Sequence, residues 1–155
     1  MAMKEPMSKL PNTMSALLRL AVSDAQKCEA DPSYVLEMAV WHQPTKRDGA
    51  AVCGVCLAGS VMAQSFGCSP KERAYLEEFG EEDSAKLDAV DDMRMGCFDN
   101  AVDNLGLTVS KDQRVAIDSA EALLDEAFGE DCSFTRLAPW SVYLKVADIL
   151  ERAGL

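Results

Sequence analysis

From Met14 onward the apolar residues fall at Met14, Leu17, Leu18, Ala21, Val22, Ala25 and Cys28. That three- and four-residue spacing marks one face of a helix. Asn12 or Thr13 stands where a cap is needed, and Asp31-Pro32 breaks the pattern, so a first helix is predicted between them. Tyr34 to Trp41 is rich in β-branched and aromatic residues without clean alternation and reads as extended; His42 to Gly49 reads as a polar loop. Ala50 to Phe66 is apolar almost all round, which predicts a central helix enclosed by others. Gly54, Ala58, Gly59 and Ala63 would keep that helix thin and let neighbouring backbones come close, at a cost of about 1 kcal/mol per glycine relative to alanine.

Ser69-Pro70 reads as the cap and first position of a short helix running to Phe79, with Gly80 as its stop. Glu82 to Met95 is the next helix, with Leu87, Val90, Met93 and Cys97 tracing a face and acids crowding its first turn, where the helix dipole favours them. Phe98 to Leu105 is a turn or short helix before Gly106. Ser110 is placed to cap Lys111 to Phe128, whose expected inner face is Val115, Ala116, Ala120, Leu123, Leu124 and Ala127, with Gly129 as the stop. Pro139 opens a last helix with Trp140, Tyr143, Leu144, Ala147 and Leu150 inward, closing at Gly154. The expected fold is mostly α: a compact single-domain bundle of five or six helices with irregular topology and one short β element around 34–41. It spans residues 1–155, with 1–11 flexible.

Composition supports one globular domain. The chain has 155 residues, 48% apolar and 26% charged, outside the low-hydrophobicity, high-charge regime of disordered chains. Charge is where the sequence becomes unusual. Between Glu77 and Asp131, 17 carboxylates face only Lys86, Arg94, Lys111 and Arg114, a regional balance of −13 against −11 for the whole chain. Such an imbalance makes a directional field that suits a basic partner and repels phosphates, so direct nucleic-acid binding is not expected. The acids form two strips. Glu77, Glu78, Glu81, Glu82, Asp83, Asp88, Asp91 and Asp92 make the first; Asp118, Glu121, Asp125, Glu126, Glu130 and Asp131 make the second. Asp118, Glu121 and Asp125 share one helical face, expected opposite Leu124 and Ala127, where like charges cost a few tenths of a kcal/mol per pair. A solvated face kept acidic for solubility is the plain alternative.

Six cysteines follow a first stretch with no apolar signal-peptide core, so reduced thiols in a cytosol are expected. No stretch has the roughly 20 apolar residues needed to span a bilayer. Cys53-Gly-Val-Cys56 has redox-dithiol spacing, but its apolar neighbours favour inert buried thiols. A zinc site would have to be assembled from His42, Cys53, Cys56 and Cys68, whose second pair lacks tight ligand spacing. His42 is the only histidine, so the sole conceivable cysteine-nucleophile set is Cys53 or Cys56 with His42 and an acid such as Glu37. No phosphate loop, nucleophile elbow, zinc-protease pair or EF-hand ladder occurs. No cofactor is expected.

Val40-Trp41-His42-Gln43-Pro44, then Val55-Cys56-Leu57-Ala58-Gly59-Ser60-Val61-Met62-Ala63, then an acid-rich helix ending Met93-Arg94-Met95-Gly96, resemble small hypothetical proteins of tailed bacteriophages over about half the chain. The resemblance implies an accessory protein made in a bacterial cytosol and carries over no site residues. In that setting acidic proteins of this size often inhibit CRISPR effectors or restriction enzymes by filling basic nucleic-acid channels.

The expectation is therefore a non-enzymatic binding protein. Its acidic array of Glu78, Glu81, Glu82, Asp88, Asp92, Asp118, Glu121, Asp125 and Glu126 would engage a basic host or phage surface. Two alternatives come from other classes: an assembly protein joined through Trp41, Trp140 and Tyr143, and a small metal or redox protein built on His42, Cys53, Cys56 and Cys68.

Overall fold

A computed structural model describes residues 8–130 and 135–155. Among the described residues there are six α-helices and a small three-stranded sheet. α1 (Met14–Ala30) forms on the spacing its sequence carries: the Thr13 hydroxyl accepts the Ala16 N–H at 3.2 Å, and all seven apolar positions of the stripe are buried. It lies against α2 (Leu57–Gln64), α3 (Glu81–Met95) and α6 (Trp140–Arg152), while α4 (Phe98–Asn104) folds back on α3 and α5 (Lys111–Phe128) on α6. One apolar core runs through all six helices. Of residues 1–11, expected to be flexible, 1–7 lie outside the described residues; Ser8 and Leu10 are tied to α3 through the Lys86 ammonium, at 2.9 and 3.1 Å.

The sheet corrects two expectations at once. β1 (Tyr34–Leu36) is the extended element anticipated around 34–41, but β2 (His42–Arg47) replaces the polar loop and β3 (Ala50–Val55) replaces the first third of the central helix. β3 lies in the middle, parallel to β1 and antiparallel to β2. The cause is Asp48-Gly49, with φ of 52° and 80°. Two successive positive φ values make the type I′ turn that matches strand twist and pairs Arg47 with Ala50 directly across it. Once that turn forms, the apolar run after it has a partner strand, and only Leu57–Gln64 remains helical.

Two further departures share a reason: a tertiary contact outweighed a local preference. The helix expected from Pro70 to Phe79 is absent except for a 3-10 turn at Leu76–Glu78. Ser69 does accept the Lys71 N–H at 3.2 Å, yet the chain is drawn instead to the edge of β2, where the Ala74 N–H donates to the His42 carbonyl at 3.2 Å. On α5 the buried line is Ile117, Ala120, Leu124 and Phe128, so Val115 is 64% exposed and Ala127 also faces out. Leu144, expected inward on α6, is exposed, and Val146 is buried with Tyr143, Ala147 and Leu150.

The close approach expected of small residues in the 54–63 stretch occurs at Gly59. A β-carbon there would lie 1.4 Å from the Trp41 carbonyl oxygen, which accepts the Cys56 N–H at 3.2 Å. The start of α2 thus sits directly on the backbone that enters β2. Gly54 belongs to β3, where its missing side chain leaves room for Glu37 and Val40.

Candidate functional site

The acidic residues are set by three helices. Gly96, with φ of 84°, ends α3 and turns the chain sharply into α4, and it packs on Leu124 of α5. That contact brings the end of α3 beside the middle of α5, so the two acidic strips meet around Cys97. Burial first, then the charges of Asp92, Asp91 and Glu121, raises the Cys97 thiol. Glu121 is itself raised by burial and by Asp99, Asp118 and Asp125. Asp88 is raised by burial and by Asp91; Asp92 is pushed up to about 6 by burial and by Asp91 and Asp88, although the Asn104 amide donates to it at 2.7 Å. The result is a ridge running from Asp88 and Asp92, past Cys97 and Asp99, to Asp118, Glu121 and Asp125.

Of the nearby cations, Lys86 and Arg94 are drawn into the core and Arg114 sits on the ridge itself. The Lys86 ammonium is buried and bonds Ser8, the Leu10 carbonyl, Asn12 and Glu82 at 2.9, 3.1, 2.9 and 3.3 Å. The Arg94 guanidinium is buried too, donating to Asp91 at 3.4 Å and to the Arg136 carbonyl at 3.1 Å. Arg114 pairs with Asp99. Among the described residues, no lysine or arginine nitrogen lies within 4.0 Å of a carboxylate oxygen of Asp88, Asp92, Asp118, Glu121, Asp125 or Glu126.

Not every expected member belongs to the ridge. Glu81 and Glu82 sit at the opposite end of α3, roughly 15 Å along its axis from Asp92, and Glu82 is paired with Lys86. Glu78 faces His42 and Cys68 instead. Glu126 is exposed on α5 beside Asp125. Asp91, in the first acidic strip but outside the expected array, and Asp99, in neither strip, join the ridge by position; the signal was present in the Arg94–Gly96 helix end, where a left-handed glycine dictates a reversal. Asp131 lies outside the described residues.

The cysteines are divided between two places. Cys53 lies in β3 with its sulfur 3.7 Å from both ring nitrogens of His42, and both are fully buried. Burial lowers the His42 imidazole and pushes the Cys53 thiol up to about 11, so both are neutral near pH 7 and no thiolate–imidazolium pair forms. Cys56 instead caps α2, its sulfur accepting the Gly59 N–H at 3.3 Å, and burial pushes it up to about 12. Cys68 is half-buried on the loop after α2. The structure thus brings His42 and Cys53 together and leaves Cys56 in the helical core; among the described residues no three of His, Cys, Asp or Glu sit where they could hold a metal ion.

Of the apolar contact set, Tyr143 alone is withdrawn from the surface. Tyr143 is fully buried, its hydroxyl engaged inside the core, and Trp41 and Trp140 are half-buried against that core. No helix among the described residues is long and apolar enough to cross a membrane. No family model, curated protein or solved structure matches this chain.

Proposed function

We propose that the protein is a non-enzymatic binding protein whose Asp88–Asp125 ridge docks on a lysine- and arginine-rich surface of another protein. The observation that carries this reading is the meeting of two acidic strips around Cys97, where, among the described residues, Asp88, Asp92, Asp118, Glu121 and Asp125 have no lysine or arginine nitrogen within 4.0 Å. Holding Asp92 half-buried beside Asp91 and Asp88, and Glu121 beside Asp99, Asp118 and Asp125, costs folding free energy, and a cationic partner recovers it on binding. In the bacteriophage setting that the resemblance implies, the partner is a host defence protein whose cationic groove otherwise holds nucleic acid.

The test compares the wild-type chain with Asp88→Asn/Asp92→Asn/Asp118→Asn/Glu121→Gln, each immobilised and exposed to bacterial cytosol at low ionic strength. The expected result is a host protein held by wild type, eluted by salt and absent from the variant. Its association rate should fall steeply as salt rises, while dissociation changes little. Equal retention by both chains, or an affinity insensitive to salt, overturns the proposal.

A further inference from the structure

The described surface carries a second concentration of charge, of the opposite sign. Lys46 and Arg47 end β2, and Lys71 and Arg73 lie on the segment tied to the same strand by the Ala74–His42 hydrogen bond. Lys71 lines a cleft with Pro44 and with Ala51, the residue paired with Lys46. Arg73 lines another with Gln43, its guanidinium 4.9 Å from the centre of the Tyr75 ring. All four cations are exposed, and none lies within 4.0 Å of a carboxylate oxygen among the described residues. Asp48 and Glu72 stand among them in sequence, and Glu77 lines the cleft that Arg73 shares with Gln43.

This edge offers charge, not strand pairing. In a hairpin closed by a two-residue turn, His42, Pro44 and Lys46 direct their backbone groups outward. The His42 carbonyl is already occupied and Pro44 has no N–H, so an added strand finds few partners. The cations flank this edge from both faces of β2, Lys46 and Lys71 on one and Arg47 and Arg73 on the other, over about 13 Å from Gln43 to Arg47 at strand rise. The carboxylates Asp118, Glu121 and Asp125 cover about 10 Å at helical rise. Two unpaired rows of opposite sign and similar length therefore sit on one chain.

We propose that the cationic edge of one copy docks on the acidic ridge of a second copy. The contact joins two different patches, so it is heterologous and adds copies head to tail, into a filament or, where the rotation allows, a ring. The net charge of −11 repels both a second copy and a phosphate backbone at long range. Screening beyond about 8 Å at physiological salt leaves the local rows to decide, and the second copy supplies carboxylates at matching length. Resting on the function proposed above, self-association would also cover the ridge until a stronger cationic partner displaces it.

Sedimentation of the full chain at about 0.1 M and about 0.5 M salt tests this. At the lower salt the weight-average mass should climb with concentration towards and beyond twice the 16.8 kDa monomer, and at the higher salt it should stay monomeric. Lys46→Gln/Lys71→Gln/Arg73→Gln and Asp118→Asn/Glu121→Gln/Asp125→Asn, both surface changes checked by circular dichroism, should each remain monomeric alone. Mixed one to one, they should form dimers that grow no further, because only one intact edge and one intact ridge remain. A wild-type chain that stays monomeric at the lower salt, or variants that still assemble, overturns the proposal. So does a monomeric wild type that binds a labelled single-stranded oligonucleotide through the same three cations. Self-association without any cationic host partner would sink the function proposed above and leave this contact standing.

Discussion

The hydroxyl of Tyr143, in α6, donates to the main-chain carbonyl of Arg94 at 2.9 Å, and its oxygen accepts the Ala138 N–H at 3.2 Å. That one phenol ties the last turn of α3, the segment before α6 and α6 itself together, and the Arg94 guanidinium reaches the Arg136 carbonyl beside it. Burial pushes the phenol up to about 12, so it remains a donor at any ordinary pH. Tyr143→Phe leaves the buried Ala138 N–H without its acceptor and should cost about 1–3 kcal/mol. Urea denaturation read by helical circular dichroism checks this; an unchanged midpoint would mean the segment before α6 is held some other way.

Gly59 is the position least able to change. With the Trp41 carbonyl oxygen 1.4 Å from where a β-carbon would sit, Gly59→Ala must push α2 off the entry to β2. The expected loss is about 3 kcal/mol or more, above the usual range for overpacking because backbone rather than a flexible side chain must yield. Thermal melts of Gly59→Ala beside Gly80→Ala, where a β-carbon meets nothing within 4 Å, separate close approach from the ordinary cost of replacing glycine.

The ridge should make stability depend on pH in an unusual direction. Asp92 is pushed up to about 6 from 3.8, so the folded chain binds its proton more tightly than the unfolded chain. Stability is therefore lost as pH rises from 3.8 through 6, and the full penalty applies at pH 7. Asp92→Asn should stabilise the protein by about 1 kcal/mol at pH 7 after allowance for solvent screening. The gain should shrink as pH falls through about 6. His42 acts oppositely: its lowered imidazole costs stability as pH falls below 6.5, so the comparison is between variant and wild type at each pH. A gain that does not vary with pH would show that Asp92 keeps an ordinary affinity for its proton.

Cys97 allows the ridge potential to be measured without any partner. It is the exposed cysteine among the described residues, flanked by Asp91, Asp92 and Glu121, whereas Cys28, Cys53 and Cys56 are buried. In a Cys132→Ser background, a cationic thiol reagent should modify Cys97 faster than an anionic one of the same reactivity. The ratio should approach one as salt rises and the Debye length shrinks to about 3 Å at 1 M. Equal rates at low salt would mean that the carboxylates do not combine into a single field.

Much of this architecture was written in local spacing. The stripe from Met14 to Cys28 and the Thr13 cap define α1, and Ser110, Gln113 and Gly129 bound α5 with a complete capping box. The excess of acid between Glu77 and Asp131 is likewise a property of composition, visible before any fold. Asp48-Gly49 was an equally local signal for a hairpin, but its flanks do not alternate, and Ala50–Val55 is apolar in a way that suits a buried strand or a buried helix equally. Only pairing could choose between them, and pairing is a tertiary event. The rotation of α5, with Ile117 in and Val115 out, was settled by what α6 and Gly96 present to it. So was the placing of Asp92 and Glu121 near Cys97, residues almost thirty positions apart that no spacing rule relates. Short-range periodicity determined which segments become helices, because a helix is stabilised by neighbours three and four residues away. Strand partners, the burial of Arg94 and the joining of two acidic strips depend on contacts between distant segments, so the packed fold decided them.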